Sequence, residues 1–450
     1  MVERYFSPEK GRPSRNTWPT ATVAWWAVGV FCLAGVLSYT DRLILSLLVD
    51  AIKSDLHISD TQISLLQGMA FAMIFAVAGF PLGRLTDIWS RRGLLVFGVA
   101  IWTGGTVFCG LANGFSGLFV GRTLVGVGEA ALAPAILSLI SDLFPPHRRG
   151  VAIGAFMTSL CLGAGVAMSV GGELLHAADT GALGAVPLFQ GVAPWRTVLL
   201  ALGFPGVLIC SLLLTLPEPR RQGLQIAPAK RQRLFGALGE FAALRRTIGP
   251  LLGAMALMSA GDFALLNWVP SLLSRVYNLQ PEQIGTMLGG VAVVSGVSGS
   301  LLAGLAGDTL VKGTAAHGRG FVAAGGALLA TATVLIAFDW VPAVAIACFG
   351  LWMFLSWGGQ TLGAAALQDA VPNQLRGLGT ASMAFCNMAI GLSLGTTVTA
   401  LLTDHVFHNP LSLGKSLAIV VAPCAAGAAF LYYRAAIALR ADQILKGVMP

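Results

Sequence analysis

Charge is scarce in this 450-residue sequence: Asp, Glu, Lys and Arg make up 11% of it, against 56% hydrophobic residues. Soluble globular chains carry about a quarter charged residues, so that class is excluded. Cysteine and histidine are sparse as well. The 7 cysteines (Cys32, Cys109, Cys161, Cys210, Cys348, Cys386, Cys424) fall in apolar stretches with no short spacing between any two. That excludes a disulfide framework or a paired-cysteine metal motif and leaves them as small core residues. The 6 histidines (His57, His147, His176, His317, His405, His408) fall in or beside loops, so His and Cys build no metal cluster within the membrane. No metal and no cofactor are expected. Nor is there a nucleophile paired with a base, a phosphate loop or a nucleotide domain, which argues against an enzyme and against a nucleotide-driven pump. The period-2 alternation that a transmembrane barrel needs is also missing.

What the chain has in quantity is apolar runs of about 20 residues, the length that crosses a bilayer. Twelve are placed near 22–49, 60–83, 94–112, 115–141, 150–172, 195–216, 250–274, 282–306, 320–338, 341–368, 377–403 and 416–438. Without water to satisfy the backbone, such runs are helices, and the expectation is an all-α integral membrane protein. The first run follows Arg4, Lys10, Arg12 and Arg15. It is too long for a signal-peptide core, no small-residue cleavage site follows it, and it is read as retained. Lys and Arg concentrate on one side if both termini are cytoplasmic. The exceptions are Lys53, Arg196, Arg275 and Lys415 on the opposite face, with Arg42 and Arg122 inside spans. The net charge of +8 then follows from topology and requires no nucleic-acid partner. The basic cluster from Arg220 to Arg246 suits anionic lipid headgroups. The expected location is the cell (inner or plasma) membrane, multi-pass.

The longest connection contains "PEPRRQGLQIAPAKRQR" and divides the spans six and six. Residues 1–216 and 250–450 are therefore expected to be two bundles joined by a cytoplasmic linker, 217–249. A single offset between the halves places Asp41 on Asp262, Gln62 on Gln283, Ile63 on Ile284 and Asp87 on Asp308 without a gap. A second places Asp142 on Asp369, Pro145 on Pro372, Arg149 on Arg376 and Gly150 on Gly377. Chance matches of Asp and Gly at helix ends compete with this reading, but the shared offset favours duplication. Repeats of this kind are typical of transporters that bind substrate at the repeat interface.

Between the second and third spans runs "GRLTDIWSRRG". It resembles the loop signature of the major facilitator superfamily at Gly83, Leu85, Asp87, Arg91 and Arg92, and departs from it at Thr86, Ile88 and Ser90. A weaker echo, "GLAGDTLVKG", surrounds Gly304 and Asp308 at the repeat-related position. The resemblance implies two six-helix bundles that alternate access, with this loop latching them on the cytoplasmic side, and it makes a monomer the expectation. On physical grounds Gly83 permits close helix approach, Asp87 accepts hydrogen bonds or faces a helix N-terminus, and Arg91 and Arg92 reach lipid phosphates. A loop that is merely basic would explain the arginines but not the glycine and aspartate.

Five ionisable residues lie within spans: Asp41, Arg42, Arg122, Glu129 and Asp262. A charge at the bilayer centre costs about 2.5 to 3.5 kcal/mol on insertion scales, so such residues face a cavity or a partner. In the fourth run Glu129 is near the midpoint and Arg122 about 10 Å nearer the outer face. The first run centres near Leu37, which makes Asp41 and Arg42 level with Arg122. Asp41 is therefore expected to pair with Arg122, leaving Glu129 apart as the carboxylate nearest the midplane. Gly126 and Gly128 keep the fourth helix slim and Pro134 kinks it. Burial disfavours the charged form of a carboxyl, so Glu129, with Asp41, is the candidate for proton coupling. With Glu129 neutral, Asp41, Arg42 and Arg122 keep one positive charge for an anionic headgroup. The competing reading is that these charges only hold helices together.

"YTDR" at Tyr39–Arg42 and "RTLVGVGEAALAP" at Arg122–Pro134, with "SDLFPPHRRG" after them, resemble the spinster branch of the superfamily. Sugar-acid and organic-anion carriers share part of the second pattern. The resemblance implies movement of lysolipids or sphingoid phosphates with proton-linked cycling. The fifth run, "GAGVAMSVGG", keeps Gly171 and Gly172 but has Ala167 and Met168 where antiporters often carry a glycine-proline pair. In the second half Asp262, Asn267 and Trp268, then Phe354, Trp357 and Gln360, are the candidate contacts for an amphipathic substrate, although membrane aromatics more often serve packing. The alternatives are a proton-linked sugar-acid or organic-anion carrier, a multidrug exporter and, from another class, a membrane scaffold.

Overall fold

The structure is a computed structural model that describes residues 18–219, 239–241, 244–309, 315–338, 341–372 and 375–445. The basic stretch 220–238 and the side chains of Asp87 and Asp308 lie outside the described residues. Among the described residues twelve helices are long and apolar enough to cross a membrane. The first six are α1 (Ala21–Leu56), α2 (Asp60–Gly79), α3 (Arg91–Leu111), α4 (Phe115–Leu143), α5 (Arg148–Asp179) and α6 (Pro194–Leu214). The second six are α7 (Arg245–Tyr277), α8 (Pro281–Gly307), α9 (His317–Ala337), α10 (Pro342–Ala370), α11 (Leu378–Val406) and α12 (Pro410–Gln443). They form two six-helix bundles, as the hydropathy pattern predicts. Several helices outrun their apolar runs: α7 begins at Arg245 and not near residue 250, its first turn being the polar Arg245, Arg246 and Thr247.

The two halves repeat one another in detail. α1 ends on His57 and α7 on Asn278, both left-handed at φ 52° and 53°. In the next turn Gln62 Oε1 accepts the backbone N–H of Ser59 at 2.9 Å, and Gln283 Oε1 accepts that of Gln280 at 3.3 Å. The paired glutamines seen in the sequence thus cap equivalent helix starts. Arg91 at the start of α3 pairs with Asp142 at the end of α4, and Arg319 in α9 pairs with Asp369 in α10. The matched aspartates therefore hold the same helix ends in both halves.

Each bundle is sealed by bulky groups set against glycines. Trp102, Trp195, Trp268 and Trp352 are fully buried. A methyl group added at Gly128 would stand 2.7 Å from the Trp102 amide nitrogen, so α3 and α4 approach at backbone distance. No neighbouring helix comes within 4 Å of where a Gly83 Cβ would be; the close approach expected there is absent, since Leu82 and Leu85, not Gly83, pack against the core. In α4 the helix is interrupted at Ala131. Pro134 has no N–H for the Ala130 carbonyl and its ring crowds that oxygen, which puts the break two residues after Glu129.

The bundles also meet unequally at their two ends. We call proximal the face where α1 begins and α12 ends, and distal the opposite one. Arg275 of α7 donates to Asp50 Oδ1 at 2.7 Å and to both oxygens of Asp60 at 2.7 and 2.8 Å. Thr61 gives its N–H and hydroxyl to Asp404 Oδ2 at 2.7 and 2.8 Å, and His176 meets Glu282 at 3.2 Å. Gly285 of α8 lies against the backbone of Met168 in α5, closer than any side chain would allow. Among the described residues, the polar contacts between bundles run from Arg42 toward the distal face, so the distal end is the closed one.

Candidate functional site

Four ionisable side chains of the first bundle are buried together: Asp41 is 2% exposed, Arg42 8%, Arg122 3% and Glu129 2%. Their pairing differs from the expected one. Arg42 Nη2 donates to Glu129 Oε2 at 2.7 Å, and Ser38, one turn earlier in α1, donates to the same oxygen at 2.9 Å. Arg122 instead donates to the main-chain oxygens of Asp41, at 3.2 Å, and Leu66, at 3.4 Å. The Asp41 carboxylate accepts from Thr106 at 3.2 Å. Glu129 therefore does not stand apart.

The reason is side-chain direction, which depth counting along a helix axis ignores. Side chains of a helix lean toward its N-terminus. Since α1 and α4 run antiparallel, Arg42 leans back toward the midplane while Glu129 leans out toward Arg42. Arg122 leans further toward the distal face, past the Asp41 carboxyl. Adjacent residues also point about 100° apart around a helix, so Asp41 and Arg42 reach different neighbours.

Arg42 is further held by rings. Its guanidinium carbon lies 4.8 Å from the Phe71 ring centre, 5.2 Å from Tyr39 and 5.4 Å from Phe75. Arg122 shares Phe71, at 5.3 Å. Such faces stabilise a cation most when it is desolvated. Arg42 also reaches across the bundle interface, with Nη1 3.7 Å from Met388 Sδ in α11. Arg42 Nε and Glu129 Oε1 have no hydrogen-bond partner among the described residues.

Met388 and Tyr39 line a central cavity of about 250 Å³ whose remaining wall comes from the second bundle, including Asp262, Trp357, Gln360 and Asn387. Asp262 accepts from Trp352 Nε1 at 2.8 Å. Gln360 Nε2 donates to the Met255 carbonyl at 2.9 Å, and Asn387 donates to Gln360 Oε1 at 3.4 Å. Three second-half candidates are elsewhere. Asn267 donates to the Phe263 carbonyl of its own helix at 2.8 Å, and the fully buried Trp268 donates to the Thr396 carbonyl at 3.0 Å. Phe354 lines a separate apolar crevice between α8, α9 and α10. Residues 354 and 357 are three apart on a helix, about 60° around its axis, enough to turn one outward while the other faces the cavity.

The loop before α3 also differs from expectation. Arg91 is 1% exposed and does not reach lipid: it pairs with Asp142 and, at 2.9 Å, with Glu218. Glu218 accepts in addition from Ser90 Oγ at 2.9 Å and from the backbone N–H groups of Arg91 and Arg92 at 3.3 and 2.8 Å. A helix N-terminus is a ready anion site, and here the carboxylate that follows α6 fills it. Burial pushes the Glu218 carboxyl up, but the hydrogen bonds from Arg92, Arg91 and Ser90 outweigh it and hold the group below its ordinary value. Arg92 also donates to the Leu216 carbonyl at 2.9 Å.

Residues that sequence reasoning did not single out include Ser38, Thr106, Asn387, Met388, Glu218 and Arg275. A signal existed for Ser38, which stands four residues before Arg42 on one helix face. For the others only the packing brings them in.

Two bundles of six helices, with buried charge at their interface and a cavity shared between them, define a membrane carrier. Residues 31–396 match the Major Facilitator Superfamily, and the chain belongs to that family. It is 29% identical over 426 residues to an MFS-type efflux pump of Mycolicibacterium smegmatis, covering 94% of each chain. It is 26% identical over 292 residues to the protein spinster of Drosophila melanogaster, covering 64% of this chain and 45% of that one. Among solved structures it superposes on a bacterial homologue of the human lysosomal transporter spinster, in an inward-facing and unoccupied conformation. That match has a TM-score of 0.81 and 23% identity, over 94% of this chain and 99% of the other. The protein is thus a multi-pass transporter of alternating-access fold resembling the spinster branch, and not an enzyme.

Proposed function

We propose that the chain couples proton movement to transport of an amphipathic or anionic small molecule, such as a lysolipid or sphingoid phosphate. The observation that carries this reading is the Arg42–Glu129 pair at 2.7 Å beside the central cavity. A proton arriving on Glu129 removes the charge that holds Arg42. The guanidinium, already in contact with Met388 across the interface, is then the group that takes an anionic headgroup, while Trp357 and the methionines of the cavity face its apolar tail. Loss of the proton re-forms the pair and releases the cargo. Asp41, beside Arg122, is the second proton-coupling candidate, and Asp262 with Gln360 supplies polar contacts from the other bundle.

The remaining parts of the proposal come from topology and from the family resemblance. The proximal face, rich in Lys and Arg, is cytoplasmic and holds both termini; the membrane is the inner or plasma membrane; the working unit is a monomer. Residues 1–216 and 250–450 move as units about the 217–249 linker, with Gly83, Asp87, Arg91, Arg92 and Asp308 forming the proximal latch when that side closes. An exporter of drugs is the second reading, favoured by the 94% coverage of the efflux pump.

Reconstituted vesicles provide the test. Glu129→Gln is expected to abolish the response of transport to an imposed pH gradient while leaving cargo binding in place; a normal response in that variant refutes the proton role. Competition among a lysolipid, a hexuronate and a lipophilic cationic dye for binding to the purified protein decides the cargo, the lysolipid being expected to win.

A further inference from the structure

A second cavity, about 600 Å³, lies between the distal ends of α1, α5, α6, α7 and α8, apart from the central one. Three carboxylates line it, Asp50, Asp55 and Asp179, together with His176, which meets Glu282, and no lysine or arginine does. Two of these are engaged on one side only. Asp50 Oδ1 accepts from Arg275 and Asp55 Oδ2 accepts from Trp195 at 3.0 Å and Arg196 at 3.4 Å. Asp50 Oδ2, Asp55 Oδ1 and the exposed Asp179 have no partner among the described residues. In the wider surroundings Asp50, Asp55, Asp60, Asp179 and Glu282 outnumber Lys53, Arg196 and Arg275 even with His176 counted as a cation, so the charges that surround the cavity sum to a negative value.

Ser271 supplies an independent observation. It lines the cavity from α7, is 2% exposed, and its hydroxyl has no hydrogen-bond partner among the described residues. A buried hydroxyl on a helix ordinarily bonds a carbonyl of the preceding turn. Ser46, on the same cavity wall, does so at 2.7 Å to Leu43. The Ser271 hydroxyl is left for whatever enters. Among the described residues no three carboxylate, thiol or imidazole groups stand where they would hold a metal ion, and the volume is that of an organic molecule.

We infer that this distal cavity binds an organic ammonium ion, with the open oxygens of Asp50, Asp55 and Asp179 meeting its charge and Ser271 its polar end. The carboxylates come from the first bundle and Ser271 from the second, so an occupant joins the two and favours the distal-closed arrangement in proportion to its preference for it. The site is independent of the central cavity and of which cargo that cavity carries.

The experiment uses choline as probe, with 3,3-dimethylbutan-1-ol as its uncharged counterpart of equal shape, titrated calorimetrically into the purified full-length protein at constant ionic strength. Saturable choline binding is expected, with none by the alcohol. Asp179→Asn, a substitution at an exposed position, is expected to weaken choline by about fivefold, the value of one partly exposed ion pair. Asp55→Asn combined with Asp179→Asn is expected to weaken it further, and Ser271→Ala to weaken it where Ser271→Thr retains it. Absence of saturable choline binding, equal binding of the alcohol, or unchanged choline affinity in the Asp55→Asn/Asp179→Asn variant would each overturn the assignment.

Discussion

Arg275 is the side chain through which the distal closure can be challenged most directly. It belongs to α7, yet all three of its ion-pair hydrogen bonds go to α1 and α2 of the other bundle. They therefore exist only while the distal ends are together. Asp60 is 0% exposed and receives two parallel bonds, whereas Asp50 is 38% exposed. Removing one partner of a buried pair costs about 3 to 5 kcal/mol. Lys53 remains on Asp60, which roughly halves that loss to about 2 kcal/mol, and the exposed Asp50 arm adds under about 1 kcal/mol. Arg275→Met should thus shift the equilibrium toward distal opening by about 2 to 3 kcal/mol, some thirty- to hundred-and-fiftyfold in population. Spin labels at Ser54 and Gln280, which line the distal cavity from opposite bundles, would report this as growth of a longer-distance component in a pulsed dipolar measurement. If the distance distribution is the same in Arg275→Met, and again in the Arg275→Met/Lys53→Met double variant, the clasp does not hold the bundles and the reasoning fails.

Two further outcomes concern the proximal end. Arg91→Met removes the buried guanidinium that joins Asp142 and Glu218 and should lower stability by about 3 kcal/mol, visible as a fall in the melting temperature of the detergent-solubilised protein; an unchanged melting temperature refutes the clamp. The folded-state pKa of Glu218 is depressed, so its stabilising contribution is present above the ordinary glutamate value of about 4.3 and is lost as pH falls through the lower folded value. The stability gap between the native chain and Glu218→Gln should therefore close as the medium is acidified through that range, and a gap that widens there contradicts the assignment.

The charged residues of the interior show where sequence reading reaches and where it stops. That Asp41, Arg42 and Arg122 belong to one buried cluster was legible from hydropathy, because charges in apolar runs must converge on something; that Glu129 joins them was not. Which cation meets which carboxylate was not. Positions along two helix axes left Asp41 and Arg42 equally good partners for α4, and the choice fell to side-chain lean and to the rings of Tyr39, Phe71 and Phe75, which close around Arg42 only in the assembled bundle. The same holds for Trp357 and Phe354: both are aromatic and both lie in α10, and their different surroundings come from how that helix is rotated against α8 and α9.

The sequence by itself determined the class of the protein, its twelve spans, its twofold repeat and its family. These are local or periodic properties: a run of apolar residues must be helical in lipid whatever surrounds it, and matched residues such as Gln62 and Gln283 act within a turn of their own helix. Tertiary structure alone decided that Arg91 is a buried clamp rather than a lipid anchor, that Glu129 is paired, and that the bundles meet at their distal ends through Arg275. Each of those depends on contacts between residues far apart in the chain, whose energies depend on burial and direction, and neither quantity is carried by the order of residues within one helix.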